Sequence, residues 1–573
     1  MKRLLKYLKT YKKEAVVAPF FKLLEALMDL IVPLLIADII DQGILGRNNG
    51  ILTRDFVLLI VLAAAGMVFS FVAQYFAAKA SIGFASDVRQ ALFDHSQTFS
   101  YGQLDRMGTG TLVTRMTSDI NQIQTGTNLA LRLLLRSPFI VFGAMVMAFT
   151  IDVPSALIFA VAIPVLCLVV FAIMLKSIPL FEKAQEALDR LLSTLREDLS
   201  GVRVIRAFCK EEDEIASFDQ KNDILTSINI GVGRLSALMN PLTYILINTA
   251  TIILIDRSGI RVEMGALKQG DVVALYNYMA QIIVELIKLA SLIITINKSL
   301  ACASRVADIL DIKEEMSYGS GILNTDSDEA VCFRNVDFAY AKDSEDALND
   351  ISFTVKKGQR IGIIGATGSG KSSIINLIPR FYDVRKGRVE VFGHDVREYS
   401  KKQLIDLIGI VPQKAVLFEG SIRDNLKLGN DEASDEDLIE ALKTAQGYET
   451  VMNKEKGLDD HVEQGGRNFS GGQCQRLTIA RALARRPQIL ILDDSASALD
   501  FATDLKLRQG LAKLKEMTVF IVSQRSSSVR SCDKILVVDD GRLVGQGSHE
   551  ELMKDCPVYK EIYYSQFPEE DRA

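Results

Sequence analysis

The chain has 573 residues, which exceeds the roughly 250–300 residues that one hydrophobic core usually supports, so at least two domains are expected. Hydrophobic residues make up 49% of the sequence and charged residues 24%, with a formal net charge of -5. This weakly acidic balance gives no reason to expect nucleic acid as a partner. Seven scattered cysteines without a CxxC pair, and four histidines outside ligand spacing, argue against a disulfide framework and a metal cluster.

Apolar segments of membrane-spanning length fill the first half of the chain. A spanning helix needs about 20 largely apolar residues, and runs such as VLLIVLAAAGMVFSFVAQYF meet that requirement. Buried helices of a soluble protein are the alternative, but several such runs follow one another without a strand pattern between them. The predicted spans are 16–40, 56–82, 127–150, 155–178, 237–256 and 272–296.

The lengths of the connections predict the topology. The connections after the second and fourth spans, 83–126 and 179–236, are long, charged and helical in pattern. Six basic residues precede the first span without a small-residue cleavage site, so we expect no cleavable signal and a cytosolic N-terminus. An even number of spans returns the chain to the same side, which predicts cytosolic termini and two long cytosolic connections in a multi-pass protein of the cytoplasmic membrane. The six basic residues are Lys2, Arg3, Lys6, Lys9, Lys12 and Lys13.

Charged residues lie inside three of the predicted spans. A charge at mid-membrane costs at least about 2.5–3.5 kcal/mol on insertion scales, and intervals of three or four residues place each set on one helical face. Two interpretations stay open: a polar substrate path, or internal ion pairing and snorkelling near the span ends. The candidate path residues are Glu25, Asp29, Arg132, Arg136 and Glu285, with Lys22 and Lys288 beside them.

A change of pattern marks a second domain. After the sixth span, MSYGSGILNTDSDEA is polar, contains glycine and lacks apolar periodicity, which is typical of a linker. Short strands and helices begin at about residue 329. We therefore predict a transmembrane domain over 1–310, a linker over 311–328 and a soluble domain over 329–573.

The soluble domain opens with a phosphate-binding motif. RIGIIGATGSGKSSIINLI contains GxxxxGK[ST] between an apolar strand and a helical run, the context that a P-loop requires. Glycines let the backbone N–H groups approach phosphates, Lys371 supplies a charge to the β/γ-phosphates, and Ser372 supplies a hydroxyl to Mg²⁺. The predicted ATP-binding residues here are Gly365, Ala366, Thr367, Gly368, Ser369, Gly370, Lys371, Ser372 and Ser373.

A second strand supplies a carboxylate. QILILDD is an apolar strand that ends in Asp493, the type of residue that holds the Mg²⁺ shell in P-loop ATPases. Many buried strands end in Asp, so this signal gains its weight from the P-loop. ATP and Mg²⁺ are therefore the predicted cofactors.

The segment NFSGGQCQRLTIARAL, between these two motifs, carries a specific resemblance. Its residues Ser470, Gly471, Gly472 and Gln473 resemble the LSGGQ signature of the ATP-binding cassette family, with Phe469 in place of Leu. The resemblance implies that Tyr340 stacks on adenine and that Gln413 contacts Mg²⁺ and the membrane domain. SALD, at 497–500, is a further family mark.

The resemblance extends to the membrane half, where MGTGTLVTRMTSDINQIQ and LSGVRVIRAFCKEEDE resemble the cytosolic loops of six-span exporters. It implies a helical transmembrane domain with long cytosolic extensions, followed by an α/β P-loop nucleotide-binding domain. In this family two such domains pair head to tail, and each ATP lies between the P-loop of one and the signature of the other. The chain is thus similar to an exporter half-transporter that requires a second half.

Two positions depart from the family pattern. Asp494 stands where the general base is usually Glu, and the missing methylene withdraws the carboxylate by about 1.5 Å, when a misplacement of about 1 Å can cost around a hundredfold in rate. Gln524 stands where the family has a histidine that contacts the γ-phosphate, and an amide does not ionise near neutral pH. These two changes predict slow hydrolysis at the chain's own P-loop.

The combination of a degenerate catalytic position and an intact signature resembles one subunit of the bacterial heterodimeric multidrug exporters. The alternatives are a slow homodimeric exporter of lipid or peptide, and an ATP-gated regulatory membrane protein. Expected partners are the second half-transporter, the lipid bilayer and an amphiphilic small-molecule, lipid or peptide cargo. The acidic residues Glu25 and Asp29 suit amphiphilic cations, but the basic residues near them offset this preference.

Overall fold

The computed structural model describes residues 4–320, 323–341, 344–495 and 497–567. Two compact units are present: Met1–Gln97 with Gly110–Ile312, and Thr98–Thr109 with Lys313–Ala573. The sequence placed 98–109 with the membrane domain, whereas this segment belongs to the second unit. The limits of the functional domains, 1–310 and 329–573, stay a prediction.

The first unit is entirely helical in its described residues. In that part of the chain, five stretches are long and apolar enough to cross a membrane: Asn49–Ser96, Thr109–Ile151, Val153–Ala207, Glu211–Glu263 and Gln269–Leu310. The helices that follow the first long helix, Lys12–Asp38, are Asn49–Ser96, Thr109–Thr114, Ile120–Leu133, Arg136–Ile151, Val153–Ala207, Glu211–Ala237, Met239–Glu263 and Gln269–Leu310; single π-helical turns cover Ile39–Leu45 and Arg115–Asp119.

The first predicted span, 16–40, also forms a helix, Lys12–Asp38. Length and composition alone do not mark it as a span, because Lys22, Glu25 and Asp29 lie in its middle. Two of the helices are longer than any bilayer requires: Asn49–Ser96 has 48 residues and Val153–Ala207 has 55. At 1.5 Å per residue they reach about 70–80 Å, against a hydrocarbon core of about 30 Å, so both long connections continue the spanning helices.

The second unit contains twelve strands in its described residues. A six-stranded sheet has the order β12-β11-β3-β10-β9-β6, a four-stranded sheet has the order β2-β1-β4-β5, and β7 pairs with β8. The strands are β1 Glu329–Phe338, β2 Leu348–Lys356, β3 Arg360–Ile364, β4 Lys386–Val391, β5 His394–Asp395, β6 Ile408–Val411, β7 Gly420–Ser421, β8 His461–Val462, β9 Ile489–Asp493, β10 Thr518–Val522, β11 Lys534–Asp539 and β12 Arg542–Gly547.

The six-stranded sheet is parallel except at its edge. Strands β11, β3, β10, β9 and β6 pair in parallel, and β12 joins antiparallel. Their continuous apolar runs, such as ILIL in β9, are typical of strands covered on both faces. The helices of this unit are Lys371–Leu377, Lys401–Leu407, Ile422–Lys427, Asp435–Thr444, Tyr448–Met452, Gly471–Ala484, Phe501–Leu511, Ser526–Val529, His549–Asp555 and Pro557–Gln566; the short helix Tyr101–Met107 also belongs to this unit.

Candidate functional site

Four of the predicted motifs lie at one edge of the six-stranded sheet. Strands β3, β10, β9 and β6 are neighbours in the sheet and run parallel. The P-loop follows β3, Gln524 follows β10, Asp493 ends β9, and Gln413 follows β6. Because the carboxyl ends of parallel strands share one edge, this is where an open α/β sheet binds its ligands.

The P-loop has a backbone that requires glycine. Gly368 and Gly370 have φ angles of 85° and 100°, a region that residues with a Cβ rarely adopt. A Cβ at Gly365 would collide with the carbonyl oxygen of Val538. Ala366, Thr367 and Gly368 are exposed, so their amides are open to a ligand.

Two P-loop side chains lack the partners that a phosphate would provide. Ser369 is buried, and its hydroxyl has no hydrogen-bond partner among the described residues. Lys371 Nζ donates to the loop's own carbonyls, Gly365 O at 3.0 Å and Ala366 O at 2.6 Å. Burial lowers the pKa of Lys371, and the carboxylates of Asp494 and Asp493 oppose that shift. An orphaned buried hydroxyl and a desolvated ammonium fit a phosphate group.

The predicted magnesium ligands Ser372 and Asp493 are brought together. Ser372 Oγ donates to Asp493 Oδ1 at 3.2 Å. Burial raises the pKa of Asp493, as does the neighbouring Asp494, while the Ser372 hydrogen bond and Lys371 oppose the shift. Gln413 lies beside the next carboxylate, with its Nε2 3.5 Å from Asp494 Oδ2. Hydroxyl, carboxylate and amide oxygens fit Mg²⁺, which prefers oxygen ligands.

Asp494 has a tightly held backbone. Its φ angle is 44°, in the left-handed region that Asp tolerates better than most residues. Its N–H donates to Val522 O at 3.0 Å, and its carbonyl accepts from Ser497 N at 3.2 Å and Ser497 Oγ at 2.8 Å. Burial raises the pKa of the Asp494 carboxyl, and the Gln413 hydrogen bond and the charge of Arg525 oppose that shift.

Tyr340 and Gln524 border this edge. Tyr340 is 48% exposed, and its hydroxyl lies 2.8 Å from Ser373 Oγ, so its ring is tied to the end of the P-loop and stays partly open to solvent. Gln524 is exposed, and its backbone carbonyl accepts from Gln566 Nε2 at 2.8 Å. An exposed aromatic ring beside a phosphate loop is suited to stacking on a base.

The signature is a helix start in a separate place. Ser470 caps the helix Gly471–Ala484: its Oγ accepts from Gln473 N at 3.3 Å, and its own N–H donates to Gln473 Oε1 at 2.8 Å. Gly471 is exposed, and a Cβ there would meet nothing within 4 Å. In the described chain no hydrogen bond joins Ser470–Gln473 to the P-loop. The dipole of this 14-residue helix favours an anion near Gly471.

Three residues near this site were not found from the sequence. The charge of Arg525 acts on Asp494, and Tyr382 links Tyr340 to Asp105 on the helix Tyr101–Met107. Arg525 directly follows Gln524, which the sequence had singled out, and this adjacency was the signal that could have predicted Arg525. Tyr382 and Asp105 belong to no motif, and 277 positions separate them.

Six charged residues of the predicted spans form one network, which we call the Arg136 cluster. Arg136 Nη1 donates to Glu285 Oε1 at 2.7 Å, and Arg136 Nη2 donates to Asp29 Oδ2 at 2.9 Å. Lys22 Nζ donates to Glu25 Oε2 at 2.5 Å. The helices Lys12–Asp38, Arg136–Ile151 and Gln269–Leu310 are thereby joined. The cluster comprises Lys22, Glu25, Asp29, Arg136, Glu285 and Lys288.

Of the five predicted path residues, four belong to this cluster and Arg132 does not. Arg132 Nε is buried without a hydrogen-bond partner, and no ion pair to Arg132 is found in the described part of the chain. Both interpretations of the intramembrane charges therefore have structural support. Asp29 and Glu285 both pair with Arg136 and line one cavity, but Glu285 is 5% exposed whereas Asp29 is 45% exposed.

The comparisons with known proteins match this architecture. The family model of the ABC transporter transmembrane region matches residues 16–286, and the ABC transporter family model matches residues 348–497. Uncharacterized ABC transporter ATP-binding protein YfiB of Bacillus subtilis is 34% identical over 574 residues, with 100% of this chain and 99% of YfiB covered. The ATP-dependent lipid A-core flippase of Syntrophus aciditrophicus is 29% identical, with 99% of this chain and 95% of the flippase covered.

The same architecture occurs in a solved structure. A bacterial Atm1-family ABC exporter with ATP bound aligns with a TM-score of 0.81 and 24% identity, covering 97% of this chain and 98% of that one. The predicted fold class, a helical transmembrane domain followed by an α/β nucleotide-binding domain, is confirmed.

The chain belongs to the ABC transporter family, as a transmembrane region fused to its own ATP-binding domain. Within that family it is an ATP-driven exporter of the half-transporter type, a membrane-spanning ATPase that couples hydrolysis to transport.

Proposed function

We propose that this chain is one subunit of a heterodimeric exporter in the cytoplasmic membrane, with both termini in the cytosol. Its P-loop contributes to an ATP site that hydrolyses slowly, and its signature contributes to the site that hydrolyses fast. Mg²⁺ is held at each ATP, here by Ser372, Asp493 and Gln413. The cargo is an amphiphilic small molecule, a lipid or a peptide.

The fixed backbone of Asp494 is the observation that carries the proposal. A shorter base could still work if the chain moved toward the nucleotide by the length of the missing methylene. The N–H and the carbonyl of Asp494 are both held, by Val522 and Ser497, and its φ of 44° leaves little freedom. The carboxylate of Asp494 therefore still falls short by about 1.5 Å relative to a glutamate. A base must come within about 2.6–3.2 Å of the water oxygen from which it takes a proton, and the shorter side chain stays outside that distance.

Gln524 supports the same conclusion. It follows β10, which lies between the strands that carry the P-loop and Asp493. Gln566 donates a hydrogen bond to the backbone carbonyl of Gln524, which fixes the backbone there, and Gln524 is exposed. A glutamine amide donates a hydrogen bond but carries no charge near neutral pH, which removes the electrostatic contribution of a protonated histidine.

The signature supports an active site elsewhere in the assembly. Ser470, Gly471, Gly472 and Gln473 keep the capped helix start and an exposed, unobstructed Gly471. An intact signature would have little use if every ATP site that it completed hydrolysed ATP slowly. We infer that it meets the ATP held by a second subunit, whose P-loop is accompanied by a full-length base.

The test is to restore the usual family residues at positions 494 and 524 in this chain, without a partner subunit. We expect the purified chain in lipid nanodiscs to hydrolyse ATP slowly, and the double variant Asp494→Glu/Gln524→His to raise kcat by about tenfold or more. Asp494→Asn/Gln524→His is the matched control, because it restores the histidine without a base.

The outcomes separate the proposal from its alternatives. A turnover of about 10 per second from the unaltered chain, near the median for enzymes, would show that Asp494 is an adequate base and would favour a homodimer. If hydrolysis stays slow in the double variant too, with ATP bound tightly, a nucleotide-gated regulatory protein becomes the better interpretation.

A further inference from the structure

A cavity opens beside the Arg136 cluster. Its volume is about 390 Å³, within the range of pockets that hold small ligands. Its polar lining is formed by Asp29, Arg136, Asn277, Gln281 and Glu285. The rest of the wall is apolar and comprises Val32, Pro33, Ile36, Ile140, Ala280 and Val284.

The charges of this lining differ in accessibility. The side chain of Asp29 is 45% exposed, against 12% for Arg136 and 5% for Glu285. Glu285 is held by Arg136, by Lys288 at 2.9 Å and by Ser137 at 2.7 Å. Asp29 is therefore the charged group of the cavity that a ligand can reach.

Two of the unused hydrogen-bonding atoms of the cavity are acceptors, on Asp29 and Gln281. Asp29 Oδ2 is bound by Arg136, but no hydrogen bond to its Oδ1 is found in the described residues. Gln281 Nε2 donates to the backbone carbonyl of Asp29 at 3.3 Å, and its Oε1 is buried and has no partner there. A ligand that donates N–H groups can bind both acceptors.

The cationic group of this cavity is largely engaged by carboxylates. Arg136 already donates to Glu285 and Asp29, and its remaining Nε, 4.0 Å from Glu25, is buried without a hydrogen-bond partner in the described residues. An anionic headgroup would have to displace one of these carboxylates. An ammonium group, by contrast, can bind Asp29 Oδ1 while Oδ2 stays on Arg136, so that the carboxylate bridges two cations.

We propose that this cavity binds a protonated amine with an apolar body, and that Asp29 is the counter-ion of that amine. The inference rests on the exporter function, since it names the class of cargo that such a path would accept. The apolar wall packs against the hydrocarbon body of the ligand, and oxygens of Asp29 and Gln281 accept hydrogen bonds from its N–H groups.

Three adamantanes with the same cage provide the test: 1-aminoadamantane, 1-adamantanol and adamantane-1-carboxylate. Binding to the full chain in phosphatidylcholine nanodiscs is measured by equilibrium dialysis without nucleotide, with empty nanodiscs as background. The variants are Asp29→Asn, Asp29→Glu and the control Asp38→Asn, which removes a carboxylate from the same helix outside the cavity.

We expect the amine to bind the unaltered chain about tenfold or more tightly than the alcohol, the size expected of a charge-assisted hydrogen bond. Asp29→Asn should reduce amine affinity to that of the alcohol, whereas Asp29→Glu and Asp38→Asn should keep the preference. If Asp29→Asn does not fold, the amine-to-alcohol ratio of the unaltered chain and of Asp29→Glu decides.

Equal binding of amine and alcohol, or tighter binding of the carboxylate, overturns the inference. So does amine binding that is unchanged in Asp29→Asn. Because no nucleotide is present, these results are independent of whether the chain hydrolyses ATP slowly or fast, and failure here is distinguishable from failure of the heterodimer proposal.

Discussion

The hydroxyl of Tyr382 donates a hydrogen bond of 2.6 Å to Asp105 Oδ2. The same tyrosine lies edge-on to Tyr340, with ring centroids 5.2 Å apart and an interplanar angle of 85°. Asp105 belongs to the short helix Tyr101–Met107, which follows the long helix Asn49–Ser96. If Tyr340 stacks on adenine, Tyr382 links the ring that holds the base to the helix Tyr101–Met107, which lies within the predicted connection 83–126.

Tyr382→Phe should separate nucleotide binding from its coupling to cargo. The change keeps the ring against Tyr340 but removes the bond to Asp105. Burial and the Asp105 bond raise the pKa of Tyr382, so the hydroxyl is a donor at neutral pH and its loss should be felt. In the complex with its partner subunit we expect ATP affinity within about twofold of the parent and a severalfold smaller stimulation of ATPase by cargo.

Tyr399→Phe is the matched control for Tyr382→Phe. It also removes one buried tyrosine hydroxyl, which donates to Val391 O at 2.7 Å inside the same unit. This variant should lower stability without changing the ratio of stimulated to basal activity. Equal loss of stimulation in both variants would mean that Tyr382 acts only through stability.

Arg136→Gln should destabilise the membrane unit. Arg136 neutralises Glu285, which is 5% exposed, and Asp29, and removal of one partner from a buried ion pair costs about 3–5 kcal/mol. Because Lys288 still contacts Glu285, we expect about 3 kcal/mol, the low end of that range. Thermal unfolding in detergent measures the change.

Arg132→Gln controls for the loss of an arginine in the same part of the bundle, since no ion pair to Arg132 is found among the described residues. Its effect should be smaller, and Glu285→Gln added to Arg136→Gln should recover part of the loss. Equal destabilisation by the two arginine variants would contradict the assignment of Arg136 as the centre of the cluster.

Asp494→Asn should stabilise the nucleotide-free protein near neutral pH. Burial raises the folded-state pKa of Asp494 above its usual value of 3.8, so its ionised form costs folding free energy above that raised pKa. The cost disappears as pH falls through the folded pKa toward the unfolded one. The variant's gain in Tm over the parent should therefore shrink as pH falls from neutrality through the raised pKa toward 3.8.

Asp337→Asn should lower the Tm near neutral pH, the opposite of the change expected for Asp494→Asn. A hydrogen bond from the backbone N–H of Asp350 lowers the pKa of Asp337, so its ionised form stabilises the fold at neutral pH. That contribution is lost as pH falls through the lowered pKa. A Tm that falls in both variants at neutral pH would contradict the account of Asp494.

The position of the candidate nucleotide site could be predicted from the sequence because each part is a local motif at the end of a strand. The P-loop after β3, Asp493 at the end of β9, and Gln413 and Gln524 after β6 and β10 are short patterns whose context is visible in the chain. Their meeting at one edge follows from parallel pairing. The held backbone of Asp494 could not be predicted, because it depends on Val522, a residue of another strand.

The membrane charges were less predictable. Spacing placed Glu25 with Asp29 and Glu285 with Lys288 on single helical faces, but 149 positions separate Arg136 from Glu285. Pairing across such distances depends on which helices become neighbours. Composition alone also fails to identify the first span as a membrane helix. Its charges count against a span, but Lys22 and Glu25 pair once the helix has formed.

Two single variants of this chain, assayed in the paired complex, test the central claim most directly. Under the proposed assignment Asp494→Asn removes a base that is already too short, so we expect the complex to keep most of its ATP turnover. Gly471→Asp places a carboxylate at the exposed start of the signature helix, where a side chain meets nothing within 4 Å in the chain itself, so the fold should tolerate it. At about 4 Å from a phosphate, a like charge costs about 4 kcal/mol at an effective dielectric near 20, which is around a thousandfold in rate if fully felt. The account predicts that turnover collapses in Gly471→Asp and survives in Asp494→Asn, and the opposite order would contradict it by showing that this chain's own site is the working one.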